Sequence, residues 1–432
     1  MDIKFIDLFS GIGGFRLGFE RAANALGFSP ICVYTAEIKK PALDTYSANF
    51  ELVSPNDITL AAIGDIPEFD VLLAGFPCQA FSSAGKRGGF LDTRGTLFFE
   101  IERILRDKMP AGFILENVEG LVRHDTLNSS SPIGNTLQTI LSSLQDLGYR
   151  VTWKVLDSSE FGLAQARKRI FIVGNRKNGI NLDDFASSAA NLGSILETGH
   201  PSLKSKTIDL LLSHYSIGDL PGMSLKDKRG GKNNIHSWDI GLKGEVSHEQ
   251  KDLLNQILKA RRNKKWGVSK GISWMDGMPL SLEEIRTFFH SPNLQELLID
   301  LEKKGYLVFE HPKDLIDVMV DGVIKKVRKP RADIPKGFNI VAGKLSFEVS
   351  KFLDPEGVAP TLVATDVEKM MVANHDGLRS LTEREMLRLF GFPEGFQLVT
   401  KNFRESCDLM GNSIAVNVVA AVSERMLTET FS

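Results

Sequence analysis

The chain has 432 residues, 42% hydrophobic and 25% charged, with a formal net charge of -2. That length suits one large domain or two, and the composition excludes disordered, collagen-like and membrane-embedded chains. No apolar run approaches the roughly 18 residues of a membrane span, and Met1–Phe5 lacks the basic-then-apolar layout of a secretory leader, so a cytoplasmic protein is expected.

Over residues 1–175, apolar runs of strand length occur at Phe5–Phe9, Ile31–Thr35, Val71–Phe76, Phe113–Leu115, Val151–Val155 and Ile170–Val173. Stretches of helical periodicity separate them at Phe15–Leu26, Pro41–Phe50, Leu97–Arg106 and Leu137–Leu147. This alternation predicts a doubly wound, mostly parallel α/β sheet, with ligands at the carboxyl ends of its strands. From residue 176 the pattern changes. Helical stretches such as His248–Arg262 and Ser281–Phe289 alternate with pieces rich in Gly, Lys and Asn, which predicts a second domain over 176–405. Ile414–Leu427 is again helical in period, with Asn412 or Ser413 placed to cap it.

Three cysteines, Cys32, Cys78 and Cys407, cannot form a paired framework, and none has a partner at metal-ligand spacing, so no metal is expected. The first strand ends in Asp7-Leu8-Phe9-Ser10-Gly11-Ile12-Gly13-Gly14, a glycine-rich turn that admits a ligand to the backbone at a helix N-terminus. Glu37 ends the second strand, where an acid in such folds bonds ribose hydroxyls, so the pair points to an adenosine-containing cofactor. A lone cytosolic cysteine is usually buried and inert. Cys78 instead follows the third strand and precedes the Gly-rich basic stretch Gly85–Gly89, the place for a presented nucleophile. Glu116 ends the fourth strand, where apolar walls would raise its pKa towards proton donation. Arg167 and Arg169 precede the last strand at alternate positions, on one face if the strand begins early.

These pieces, taken in order with Glu116-Asn117-Val118, Gln165-x-Arg167-x-Arg169, Leu381-Thr382-x-Arg384-Glu385 and Gly411-Asn412-Ser413, resemble the DNA (cytosine-5)-methyltransferase family of bacterial restriction-modification systems. The resemblance implies a Rossmann-like methyltransferase sheet and a smaller target-recognition domain, 176–405, including the 379–393 motif. It also implies that the C-terminal helix, 406–432, returns to the catalytic domain. Cys78 would attack C6 of a flipped-out cytosine in double-stranded DNA, Glu116 would bond or protonate N3, and Arg169 with Arg167 would hold the O2 side. S-adenosylmethionine, leaving as S-adenosylhomocysteine, would be bound by Phe9, Ser10, Gly11, Gly13, Gly14, Glu37, Asp57, Ile58, Pro77 and Asn412. Gln79, Ser82, Lys86 and Arg87 would meet DNA from the active-site loop. Basic clusters at 226–232, 261–265 and 325–331 would supply further contacts, Arg261 and Arg262 among them. A separate restriction endonuclease acting on the same DNA word is the expected protein partner, and the bacterial cytoplasm the expected location. A transfer-RNA cytosine methyltransferase of the same fold shares most of these motifs, but the long segment before Leu381 favours duplex DNA. A catalytically inactive DNA-binding relative is disfavoured by the intact Pro77-Cys78-Gln79 and Glu116-Asn117-Val118.

Overall fold

The apolar runs of the first segment hydrogen-bond into one six-stranded sheet, at the positions their lengths predict. The structure is a computed structural model, and it describes residues 1–51, 56–76, 97–126, 132–228, 230–273, 277–320, 323–341 and 347–431. The segment forms β1 (Asp2–Leu8), α1 (Gly14–Ala25), β2 (Ser29–Ala36), α2 (Lys40–Asn49), β3 (Val71–Gly75) and α3 (Leu97–Lys108). It continues with β4 (Gly112–Val118), α4 (Asn135–Asp146), β5 (Arg150–Asp157), β6 (Gln165–Ala166) and β7 (Lys168–Asn175).

The sheet order is β2-β1-β3-β4-β7-β5. β1, β2, β3 and β4 pair in parallel, while β7 runs antiparallel to both its neighbours. The reversal has a local cause: no crossover helix separates β5 from β7, and without one two adjacent strands run antiparallel. Both faces of the sheet are covered, which is why its central strands are almost wholly apolar. Ile6, Leu8, Leu72 and Leu115 meet α3 and α4 on one face, whereas Ile3, Phe5, Val71 and Leu73 meet the other core.

The middle of the chain forms α5 (Lys206–His214), β8 (Ser224–Leu225), β9 (Asn234–Ile235), α6 (His248–Ala260), α7 (Lys264–Ser269), α8 (Leu282–Arg286) and α9 (Leu294–Lys303). It goes on through β10 (Leu307–Glu310), β11 (Lys313–Val320), β12 (Val323–Pro330), β13 (Gly337–Ile340) and β14 (Lys351–Phe352). The last elements are β15 (Ala359–Pro360), β16 (Met370–Ala373), β17 (Leu378–Ser380), α10 (Glu383–Phe390), α11 (Phe403–Gly411) and α12 (Val416–Phe431).

Two compact units result: Met1–Gly199 with Asp354–Glu368 and Leu381–Ser432, and His200–Leu353 with Lys369–Ser380. The expected second domain, 176–405, is therefore too wide at both ends. Hydrogen bonds tie its outer parts to the sheet-bearing unit: Gln165 Nε2 donates to Leu389 O (3.0 Å), Arg388 Nη1 to Ile195 O (3.0 Å), and Glu197 N to Glu385 Oε1 (2.6 Å). α12 lies against α1 so closely that a Cβ on Gly18 would stand 2.5 Å from Val419 Cβ. The stretch Phe403–Phe431 is apolar and long enough to cross a membrane, but 67% of its most apolar window is buried within the protein.

The other unit holds two cores. One gathers α6, α9, β10 and β13 around Trp238 and Leu254, and the other packs α5 on the five-stranded sheet β17-β16-β14-β8-β9. β11 and β12 form a two-stranded sheet of their own.

Candidate active site

The carboxyl ends of β1, β2, β3 and β4 open on a cavity of about 690 Å³, closed on its far side by the end of α11. At the end of β1 the chain turns sharply: Phe9 and Gly11 both take left-handed φ values, 56° and 54°. Ser10 N donates to Ala36 O (3.1 Å) and Gly13 N to Ser10 O (2.8 Å), which fixes the turn against β2. The three expected glycines divide in purpose. A Cβ on Gly11 would meet nothing within 4 Å, so the backbone there is open to a ligand. Gly13 is not on the cavity wall; it caps α1, and a Cβ on it would stand 2.3 Å from the Phe50 ring. Gly14 lines the cavity, and its bare Cα makes room for Ile414. The expected cofactor contact at Gly13 is thus corrected to a packing role.

Glu37 is held by three backbone donors. Its Oε2 accepts from Gly11 N (3.0 Å) and its Oε1 from Ile38 N (2.9 Å) and Lys39 N (2.8 Å). A carboxylate offers about four acceptor sites, so roughly one remains for a ligand hydroxyl. Asp57 and the buried Ile58 stand on the same wall, with Asp57 Oδ1 accepting from Thr59 N (3.0 Å). Asn412 faces them from the end of α11, its amide donating to Asp408 O (2.8 Å) and Oδ1 (3.1 Å). Asp408 pairs through its other oxygen with Lys39. This strap between two walls escaped the sequence reading, although Asp408 and Asn412 stand one helical turn apart, a spacing that brings side chains together.

Beneath the turn lies an acid that the motif also hid. Asp7 is fully buried in β1, and neither carboxylate oxygen has a hydrogen-bond partner among the described residues. Burial pushes its pKa up to about 8, with the Arg16 charge opposing and the Glu20 and Glu37 charges adding to the rise.

The other end of the cavity centres on Glu116. β4 presents it beside Gly75 of β3, and Arg169 Nε lies 3.0 Å from its Oε1. Burial raises the Glu116 pKa, while Arg169 and then Arg167 pull it down. A carboxyl whose pKa is raised by burial keeps its proton to higher pH than an ordinary glutamate, which suits it to proton donation. Asn117 Nδ2 donates to Phe76 O (3.3 Å), tying β4 to the residue just before Pro77. Pro77, Cys78, Gln79, Ser82, Lys86 and Arg87 lie outside the described residues.

The two arginines have different tasks. Arg169 pairs with Glu116. Arg167, expected to share in the chemistry, donates instead to three backbone carbonyls: Nη1 to Leu362 O (3.1 Å), and Nη2 to Gly411 O (3.3 Å) and Ser413 O (2.6 Å). Its guanidinium also lies over the Phe390 ring, 5.1 Å from the centroid. It is a positioning residue that pins the segment carrying Asn412 to the sheet.

One expected DNA contact is overturned. Arg261 is only 1% exposed, its Nη1 donating to Asn339 Oδ1 (2.8 Å) beneath Gly277. It staples α6 to β13, since a buried guanidinium is tolerated only with partners of this kind. Arg262, Lys264 and Lys265 are exposed, with Lys265 Nζ 4.1 Å from the Trp266 ring centroid.

Residues 3–428 match the C-5 cytosine-specific DNA methylase family. The chain is 53% identical to the Type II methyltransferase M.NlaIV of Neisseria lactamica, over 98% of its own length and 99% of that protein's. Identity to the Type II methyltransferase M.BanI of Aneurinibacillus aneurinilyticus is 41%, covering 98% of this chain and 95% of the relative. Among solved structures, the S. pombe Dnmt2 methyltransferase aligns with a TM-score of 0.54 at 16% identity, over 99% of this chain and 98% of that one. The Entamoeba histolytica methyltransferase EhMeth aligns with a TM-score of 0.53, also at 16% identity, over the full length of both. Likeness at that identity is likeness of fold.

Proposed function

The chain belongs to the C-5 cytosine-specific DNA methylase family and is a DNA cytosine-5 methyltransferase of restriction-modification type, and we propose that its cavity holds S-adenosylmethionine beside a flipped-out cytosine. The cavity has the volume of a small-molecule site, which runs from about 300 to 1,000 Å³. The open backbone at Gly11, the preset Glu37 carboxylate and the Phe9 ring suit an adenosine group with its ribose hydroxyls. S-adenosylmethionine, when bound, supplies an electrophilic methyl group on a sulfonium. No metal is called for.

The protein's own groups then act on cytosine. C5 is a weak nucleophile until C6 is attacked, so the Cys78 thiolate adds to C6 and pushes an electron pair of the ring towards N3 and C5. Glu116 donates its proton, or a hydrogen bond, at N3 and so takes up the developing charge. Arg169 holds Glu116 in place and faces the O2 side. After C5 has taken the methyl group, a base removes the C5 proton, β-elimination breaks the S–C6 bond, and the N3 proton returns to Glu116. Cys78 ends as a thiolate. Because C6 is shielded inside a stacked duplex, the base must leave the helix to react. Gln79, Ser82, Lys86 and Arg87 are proposed to line the opened strand, and the unit spanning His200–Leu353 to read the surrounding sequence. A separate endonuclease cutting the same word when unmethylated is the proposed partner in the cell.

The observation that carries this reading is one cavity holding a buried, arginine-paired Glu116 at one end and the Gly11–Glu37 turn at the other. Duplex DNA carrying 5-fluorocytosine tests it, because fluorine at C5 blocks the final elimination. The wild type should form a covalent adduct and Cys78→Ser none. Substantial methyl transfer by Cys78→Ser would sink the mechanism. Bisulfite sequencing of DNA from cells making the protein should reveal one methylated word.

A further inference from the structure

β11 and β12 form the longest two-stranded pairing among the described residues. Eight residues of each strand hydrogen-bond in antiparallel register, from Lys313 opposite Pro330 to Val320 opposite Val323, and among the described residues no third strand joins them. Neighbouring residues on a strand point to opposite faces, yet Leu315 and Ile316 are 37% and 36% exposed and Met319 is 65% exposed. Neither face is therefore packed on a core. The base is anchored: Arg331 N donates to Pro312 O (2.8 Å), Arg331 pairs with Asp333 (2.6 Å) and lies 3.6 Å from Asp314, which is 9% exposed. Isolated two-stranded ribbons are marginal in water, and exposed apolar side chains on them invite association. A ribbon kept in this form has a partner to meet.

Its charge says which. Between Lys313 and Pro330 the sequence has five basic residues, Lys313, Lys325, Lys326, Arg328 and Lys329, against three acids, Asp314, Asp317 and Asp321, an excess of two positive charges. The ribbon is about 27 Å long at roughly 3.4 Å per residue, and the major groove of duplex DNA, about 12 Å wide, admits a two-stranded ribbon. Its excess of positive charge would meet phosphates, and the exposed Leu315, Ile316 and Met319 would meet thymine methyl groups. Resting on the reading of this chain as a DNA methyltransferase, we propose that the ribbon Lys313–Pro330 enters the major groove and reads bases of the target word. The sequence marked 325–331 as one of three basic clusters facing DNA; of the 261–265 cluster, Arg261 is locked in a core while Arg262, Lys264 and Lys265 stay exposed.

The test joins a protein change to a DNA change. Full-length wild type, Arg328→Ala with Lys329→Ala, and a control carrying Arg262→Ala with Lys264→Ala are titrated with the methylated word and with an unrelated duplex at several salt concentrations. The word is also made with 7-deazapurines, which lack the major-groove N7 acceptor. Wild type should lose about 5- to 150-fold in affinity on the deazapurine word, the range for a good base contact. The ribbon variant should already be weaker on the natural word and should barely feel the change, while the control should feel it as wild type does. Unchanged S-adenosylmethionine binding in each variant shows that the fold is kept. A ribbon variant that binds and methylates the same word as wild type overturns the proposal, as does an equal loss on both natural duplexes with a flatter salt dependence, the mark of phosphate contact alone. If wild type methylates no DNA at all, the parent reading falls instead.

Discussion

Replacing Arg167 with lysine separates a group that performs chemistry from one that holds the site together. The guanidinium reaches three carbonyls on two chain segments, Leu362 on one and Gly411 and Ser413 on the other. Lysine keeps the charge but has a single ammonium, which cannot span both segments. At least two bonds from a charged donor are lost, each worth roughly 1.5–3 kcal/mol. The sum, about 3–6 kcal/mol, agrees with the roughly 3–5 kcal/mol lost when one partner of a buried charged contact is removed. For a unit of this size, about 2–4 °C of melting temperature goes with each kcal/mol, so Arg167→Lys should melt on the order of 10 °C below wild type. Its cofactor KM should rise, because the loosened segment carries Asn412 and Ser413. The single-turnover rate at saturating cofactor, well below melting, should stay within a few-fold of wild type. Differential scanning fluorimetry with single-turnover methylation reads both. A variant of wild-type stability whose saturated rate falls a hundredfold would show that Arg167 acts on the substrate, contrary to the geometry.

Glu116→Gln should slow the chemical step by about 10²–10⁴-fold, the usual worth of a proton donor, with cofactor affinity by calorimetry unchanged. Because burial raises the Glu116 pKa, the wild-type rate should fall as pH climbs through that raised value, a limb absent from the glutamine variant. Glu37→Gln should weaken cofactor binding and leave the saturated rate alone; a loss of rate at full occupancy would contradict its placement. Asp7 predicts a pH effect on stability of the less common sign. Its folded pKa, about 8, lies above the ordinary 3.8, so between those values the folded protein holds a proton that the unfolded chain has released. Stability should therefore fall as pH rises across the window, by up to about 1.4 kcal/mol per unit, and level off above it. Urea titrations of Asp7→Asn should lack that slope, and equal slopes in the two proteins would refute the assignment.

The strands of the sheet were legible because burial on both faces leaves continuous apolar runs, as in Val71–Ala74 and Ile170–Val173. Strand direction was not, since the same run serves either sense and only the helix-free link between β5 and β7 reverses the last strand. Glu116 and Glu37 were found by one rule, a polar residue just past an apolar run, and both line the cavity. A different rule, the clustering of basic residues in sequence, failed for Arg261, the one member of its cluster turned inward. Charge runs record composition, and only packing decides which side chain faces water. Asp408 was missed because its partners, Lys39 and Asn412, come from opposite ends of the chain. The ribbon was missed because the alternation of Lys313–Val320 is too irregular to mark a strand with neither face buried.

The close fit of α12 on α1 at Gly18 also dictates an order of events during synthesis. The two helices arise at opposite ends of the sequence, so while the ribosome is at work the face of the sheet formed by Ile3, Phe5, Val71 and Leu73 waits uncovered for Val418, Val419, Val422 and Leu427. The wall carrying Asn412 arrives just ahead of that helix. A chain that stops before Leu409 lacks the cavity wall of Leu409, Gly411, Asn412, Ser413 and Ile414, and one that stops before α12 leaves that sheet face bare. Such fragments expose an apolar sheet face, which makes them prone to aggregate and to be cleared by chaperones and proteases.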